Sequence, residues 1–171
     1  MLQDTMKTIL ANVVTMKYNA QGYHWNVKGM FFPQLHDFFG DLYEELDGSV
    51  DAIAEEIRTL QIDAPAGIGT FAGLRTLRDG VAATPVDMIM DLYQNNAEII
   101  NLYTRAFDES EATKKYGMND FIGGRIDAHE KHAWMLRTIA SGVGVREEVE
   151  NRIADINEKY SFASWNKSRN K

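Results

Sequence analysis

With 171 residues, 44% hydrophobic and 25% charged, the chain has the size and composition of one soluble globular domain with a sizeable core. Its 25 acidic and 18 basic residues give a net charge of -7, which disfavours phosphate binding over the whole surface, and the lack of cysteine excludes disulfides, thiolate metal sites and cysteine nucleophiles. No apolar run approaches the ~20 residues of a membrane span, and MLQDTMKTIL lacks the basic flank and cleavage pattern of a secretory signal, so a cytoplasmic protein without a membrane partner is expected.

From Asp4 to about Val27, the residues Met6, Ile9, Leu10, Val13, Val14 and Met16 recur at three- and four-residue spacing, the period of an amphipathic helix. The pattern ends near Gly29, and Pro33 suits the first turn of a second helix because its missing N–H would have no intrahelical partner there. That helix is expected from Pro33 to about Leu60, with Leu35, Phe38, Phe39, Leu42, Leu46, Val50, Ile53, Ala54 and Ile57 on its apolar side. Gly40 and Gly48 each weaken it by roughly 1 kcal/mol relative to Ala, which points to close packing against another backbone.

Gln61 to Thr84 is rich in Gly and Ala and reads as a long connection holding one short helix around Phe71 to Leu77. Thr84, Pro85 and Asp87 combine a capping side chain, a first-turn proline and an acid near the positive end of the helix dipole. They start a third helix whose apolar face runs from Val86 to Phe107, before DESEATKKYG breaks the pattern. A fourth is expected from about Asn119 to Ala140, with SGVG as its stop. Four long helices, a long crossover containing a short helix and no strand pattern predict an all-α, ferritin-like four-helix bundle over residues 1–144. Residues 145–171 are expected to form a C-terminal extension, with a short polar helix carrying Val149, Ile153 and Ile156 on one side and then a basic tail.

Di-iron bundles take Glu-x-x-His pairs from their own helices, because side chains at i and i+3 project together into the core. This chain contains no Glu-x-x-His. Its candidate ligands are His24, His36, Asp51 and Glu55. Asp51 and Glu55 are spaced i, i+4, so one helix face carries both carboxylates and can clasp one cation. His36 precedes Asp51 on the same helix by a span that corresponds to roughly 22 Å of axial rise. One chain therefore cannot bring both to one metal. Either the four residues form a site at a subunit interface, repeated about a two-fold axis between antiparallel copies of the second helix, or they are ordinary solvated carboxylates and locally bonded histidines. Spacing does not decide between these.

The stretches HWNVKG at His24 to Gly29, FPQLH at Phe32 to His36 and DAIAEE at Asp51 to Glu56 closely resemble the Dps family of mini-ferritins, and EKHAWML at Glu130 to Leu136 resembles that family's fourth helix. The resemblance covers roughly residues 5 to 141. It implies a homo-oligomeric shell of twelve subunits, with ferroxidase centres at two-fold interfaces. Their ligands match His24 and His36 of one chain and Asp51 and Glu55 of the next. There ferrous iron would be oxidised, typically by hydrogen peroxide, and stored as ferric mineral, protecting against oxidative damage. Imidazole and carboxylate ligands suit zinc or manganese as well as iron. Trp25 resembles the family's aromatic neighbour of the centre, an electron donor in that reading and a packed interface aromatic in the plainer one.

One departure accompanies the match: four positions after the second histidine the family commonly carries an acid, and this chain has Gly40. The loss of a carboxylate weakens or shifts a second metal position, so one tight metal per site is expected. Asp37, Asp41 and Glu44 flank Gly40 and offer an acidic surface for mineral nucleation, or simply a solvated helix face. Asp120, Asp127 and Glu130 resemble the acids that line the family's three-fold ion pores. His129 and His132 lack the i, i+4 spacing of a metalloprotease helix and are read as structural. Many family members bind DNA through basic tails. The N-terminal arm before the first helix is only about four residues and carries no Lys or Arg, whereas Lys167, Arg169 and Lys171 give the C-terminal tail three cations. The alternative to a ferroxidase is therefore a DNA-compacting or purely structural shell whose metal site is vestigial.

Overall fold

The computed structural model of the chain describes residues 1–161, which form six α-helices and no strand. They are α1 (Leu2–Asn26), α2 (Phe32–Thr59), α3 (Ile68–Leu74), α4 (Pro85–Ala112), α5 (Tyr116–Val143) and α6 (Arg146–Lys159). The four long helices pack most extensively as α1 with α2 and α4 with α5, and α1 against α4 joins the two pairs. The expected all-α bundle with a helix-containing crossover is thus the observed architecture. Its core is continuous, with Met6, Ile9, Leu10 and Met16 from α1 meeting Phe39, Leu46, Ile53 and Ile57 from α2, Ile89 and Tyr103 from α4 and Ile122 and Leu136 from α5, all fully buried.

The helix ends follow from local chemistry. Val27 leaves α1 in an extended conformation, and Gly29 at φ +102° makes the turn into α2, a backbone state that glycine adopts without a Cβ clash. Thr84 caps α4 by accepting a bond from the Asp87 N–H, with Pro85 in the first turn. Three expectations need correction. α1 starts at Leu2, two residues before the expected Asp4. The crossover helix spans Ile68–Leu74 instead of Phe71 to Leu77, because the buried Asn12 side chain takes the N–H groups of Thr76 (2.9 Å) and Leu77 (3.3 Å) and holds them out of a helix. α4 continues through the DESEA segment, whose Glu and Ala residues are sound helix formers, until Lys114 turns the chain at φ +56°.

Polar groups on α1 fasten the crossover. Asn19 donates to the Arg78 carbonyl (3.0 Å) and accepts from the Gly80 N–H (2.8 Å), while the Tyr23 hydroxyl donates to Asp91 Oδ2 (2.6 Å). A Cβ at position 80 would sit 2.4 Å from the Tyr23 oxygen, so Gly80 is required by contact. Burial, followed by Asp91, pushes the Tyr23 phenol well above its ordinary range, and burial also raises Asp91. At the other end α6 packs on α4 and α5 through Val149 and Ile153, with Tyr93 donating to Asn157 (2.8 Å) and Tyr160 to Glu98 (2.9 Å). None of the described helices is long and apolar enough to cross a membrane.

Candidate metal centre

The turn at residues 27–31 folds the last residues of α1 onto the start of α2, and this brings His24 and His36 together. Their rings stack with centroids 3.7 Å apart and planes 21° from parallel. Each ring is held by the other residue's backbone: His24 Nδ1 donates to the His36 carbonyl (2.7 Å), and His36 Nδ1 donates to the His24 carbonyl (2.8 Å). A carbonyl only accepts, so both imidazoles carry their proton on Nδ1 and present a lone pair on Nε2. This outer-shell arrangement is the one that orients metal-binding histidines and fixes their tautomer. Neither Nε2 makes a hydrogen bond among the described residues.

An aromatic stripe extends the pair. Phe32 stacks on His36 with centroids 5.1 Å apart, and Tyr43 meets the other side of the pair edge-on against His24 at 5.4 Å. Gly40 lies beneath: a Cβ there would come within 3.3 Å of His24 Nδ1. The bare Cα therefore lets the His24 ring lie against α2, and the glycine packs on a side chain where backbone contact was expected. Gly48 departs further from that expectation, since it is exposed and a Cβ on it meets nothing within 4 Å. Tyr43 and Phe32 were not singled out from the sequence, although their signal is there: Phe32, His36, Gly40 and Tyr43 fall at i−4, i, i+4 and i+7, one stripe of α2.

Asp51 and Glu55 lie farther along α2, exposed, and make no hydrogen bond or ion pair among the described residues. The chain does not bring them to the histidines. Among the described residues there is no group of three or more His, Asp or Glu that could hold a metal ion. The single chain carries two separated half-sets, two imidazole lone pairs and two unpaired carboxylates, whose chemistry fits iron as well as zinc or manganese.

The other candidates are placed as follows. Trp25 is 68% exposed, and Met30, Phe31 and Phe32 of the following turn and α2 start are exposed as well. Asp37, Asp41 and Glu44 are exposed along α2. Asp120, Asp127 and Glu130 are exposed on α5, where Asp127 pairs with Lys131 at 2.6 Å. Lys167, Arg169 and Lys171 lie outside the described residues. His129 and His132 are buried, at 0% and 5% exposure, far from any solvent-facing ligand role.

A sequence profile for the ferritin-like domain matches residues 3–142. The chain belongs to the ferritin-like family, as a member of its Dps group. It is 34% identical over 143 residues to a low temperature-induced protein of Nostoc sp. that is itself uncharacterized, covering 82% of this chain and 77% of that one. It is 25% identical to DNA protection during starvation protein 1 of Deinococcus radiodurans, over 80% of this chain and 67% of the relative. The fold superimposes on Dps from Thermosynechococcus elongatus with a TM-score of 0.78 at 25% identity, covering 81% and 88% of the two chains. This Dps-type bundle keeps its histidine pair at the α1–α2 turn and its free carboxylates far down α2.

Proposed function

We propose that this Dps-group protein is a ferroxidase and iron-storing mini-ferritin whose catalytic site is completed between two subunits, with His24 and His36 from one and Asp51 and Glu55 from the other. The observation that carries the reading is the reciprocal Nδ1-to-carbonyl locking of the two histidines, which spends both ring protons on the backbone and leaves both Nε2 lone pairs for a metal. Two further features support it. Asp51 and Glu55 have no partner within the described chain, and the histidines are bordered by exposed Trp25, Met30, Phe31 and Phe32, an apolar surface suited to burial against a second copy. A two-fold contact between antiparallel α2 helices repeats every pairing, so it would make two sites at once.

Ferrous iron is the substrate. Two ferrous ions each give up one electron, the O–O bond of hydrogen peroxide breaks, and with two protons the peroxide leaves as two waters. Gly40 offers no carboxylate, so one ferrous ion is held tightly by the four ligands and the second electron comes from an ion bound more weakly beside it. Exposed Asp37, Asp41 and Glu44 then attract the ferric product into the interior of a closed, dodecameric shell, which Asp120, Asp127 and Glu130 feed with cations. Trp25, beside the first ligand, is placed to surrender an electron when only one ferrous ion is present.

Subunit complementation tests this directly. A His24→Ala/His36→Ala chain and an Asp51→Ala/Glu55→Ala chain should each oxidise ferrous iron no faster than solution. Co-assembled, they should recover activity, because every interface between one chain of each kind restores one of its two sites. Inactive mixed assemblies of native size would sink the inter-subunit site.

A further inference from the structure

The second histidine pair lies in the middle of the bundle and belongs to a closed circuit of five side chains. The Tyr103 ring on α4 is 5.5 Å from the His129 ring on α5, and His129 meets His132 edge-on with centroids 5.3 Å apart. His132 Nε2 lies 3.3 Å from Glu45 Oε2 on α2, and Glu45 accepts Arg125 Nη1 at 2.6 Å and Nη2 at 3.3 Å. Arg125 returns to the start: its guanidinium stands close enough to the Tyr103 phenol that its charge, and then a hydrogen-bonding interaction, oppose the burial that raises that phenol. Tyr103 and His129 are fully buried, and His132 is 5% exposed.

Four polar atoms in this circuit make no hydrogen bond of full geometry within the chain: Tyr103 Oη, Arg125 Nε, His129 Nε2 and His132 Nδ1, although Tyr103 and Arg125 approach each other closely enough to interact. Each buried orphan costs about 1–3 kcal/mol, and four at one place cannot be incidental. Their polarity follows from the bonds their other atoms make. His129 Nδ1 donates to Asn96 Oδ1 (2.7 Å), and Asn96 Nδ2, as the donor in a second bond, goes to the His129 carbonyl (2.8 Å), so the amide orientation is fixed. His129 Nε2 is therefore a bare lone pair. His132 Nε2 faces the Glu45 carboxylate at 3.3 Å, a group that only accepts, which favours the proton on Nε2 and leaves His132 Nδ1 as a second lone pair. Arg125 Nε–H and the Tyr103 hydroxyl are donors.

We infer that these four atoms form an internal binding site for one small neutral hydroxylic molecule, which in the resting protein is water. Two lone pairs need two donated hydrogens, and two donors need two acceptor lone pairs, which is the complement of a single water. The charge balance rejects the other ligand classes. Glu45 and Arg125 already neutralise each other, so a metal cation bound to the imidazoles would face an uncompensated guanidinium, and an anion would face two lone pairs. Burial, reinforced by Arg125, holds both imidazoles below their ordinary range and hence neutral. The site thus keeps His129 and His132 out of iron chemistry in a protein that handles iron, and it stands whether or not the inter-subunit ferroxidase reading does.

An atomic-resolution crystal structure of the full chain, with anomalous data from crystals soaked in zinc ion, tests the assignment. The expected result is one ordered peak within about 2.7–3.2 Å of all four atoms and no anomalous signal there. Anomalous density between the two rings, or a direct bond from Tyr103 Oη to His129 Nε2 that closes the gap, would overturn it. In solution, water-oxygen relaxation dispersion should count one fewer long-lived water per chain in His129→Phe than in the native protein. Tyr103→Phe keeps the ring's shape and three of the four partners, so its count should stay native even if the His129 variant folds poorly. A native count in folded His129→Phe contradicts the site.

Discussion

Two histidine pairs occupy this chain, and they show how the same side chain is put to opposite uses. His24 and His36 come from different helices, stack at 3.7 Å, and give both Nδ1 protons to backbone carbonyls at the edge of the molecule. His129 and His132 come from one helix and meet edge-on at 5.3 Å in the core, where His129 donates to Asn96 and His132 Nε2 faces Glu45 at 3.3 Å. Each pair ends with two lone pairs unspent. The outer pair leaves its lone pairs free at the half-exposed α1–α2 turn, where we propose that a partner's carboxylates meet them, whereas the inner pair faces a guanidinium and a phenol. A free imidazole nitrogen is therefore insufficient to mark a metal site; what matters is the sign of the charge that can approach it.

Breaking the outer pair should have the largest effect. His36→Ala removes a ligand and also the carbonyl-oriented partner ring of His24, and ferrous oxidation followed by the growth of ferric absorbance should fall at least about 100-fold. The inner pair should show no such loss: His132→Gln should keep iron oxidation within about two-fold while lowering stability, since removing a buried hydrogen-bonded partner costs about 1–3 kcal/mol. A comparable loss of oxidation in both variants would erase the distinction.

Arg125→Met attacks the inner circuit electrostatically. Breaking a buried pair by removing one partner costs about 3–5 kcal/mol, but Glu45 keeps 37% of its side chain in solvent, so about 2 kcal/mol is expected. Thermal unfolding at fixed protein concentration should read this as a fall of about 4–8 °C in Tm.

Acid should separate the pairs by a smaller margin. Around His129 stand Asn96 and Tyr103 from α4, Arg125 and His132 from α5, and Glu45 from α2. Burial, the largest cause, and then His132 and Arg125 depress the His129 pKa, so the unfolded chain binds protons that the folded one refuses. Its contribution to stability is complete above the unfolded value of about 6.5 and is lost as pH falls from there toward the folded pKa, at no more than about 1.4 kcal/mol per pH unit. Urea midpoints should drop between pH 7 and pH 5 in the native protein, and by less in His129→Gln.

The subtlest change is at Gly40. Gly40→Ala should gain about 1 kcal/mol of helix propensity and lose much of it to crowding of His24, leaving stability nearly unchanged. Metal affinity should nevertheless fall about 10-fold, as for other disturbed outer-shell contacts, which titration calorimetry with zinc would measure. Unchanged affinity would mean that the His24 ring does not need the space beneath it.

Periodicity carried the long helices, and the Thr84–Pro85–Asp87 start and the Gly29–Pro33 turn were readable because capping and backbone freedom are local properties. The impossibility of a single-chain site was also legible, since helix rise alone separates His36 from Asp51. The crossover helix was misplaced because its limits depend on Asn12, more than sixty residues away in the chain. The partners of Gly40 were likewise hidden, because α1 supplies the ring that fills the space above α2.

The sequence by itself determined the bundle and the separation of His36 from Asp51 and Glu55, since these rest on periodicity and on spacing along one helix. Only the tertiary structure decided which nitrogen of each histidine is free, what charge faces it, and that His129 and His132 are enclosed with Arg125 and Tyr103. Those facts depend on hydrogen bonds and electrostatics between helices, and a lone pair acquires a chemical meaning only from the groups that folding sets in front of it.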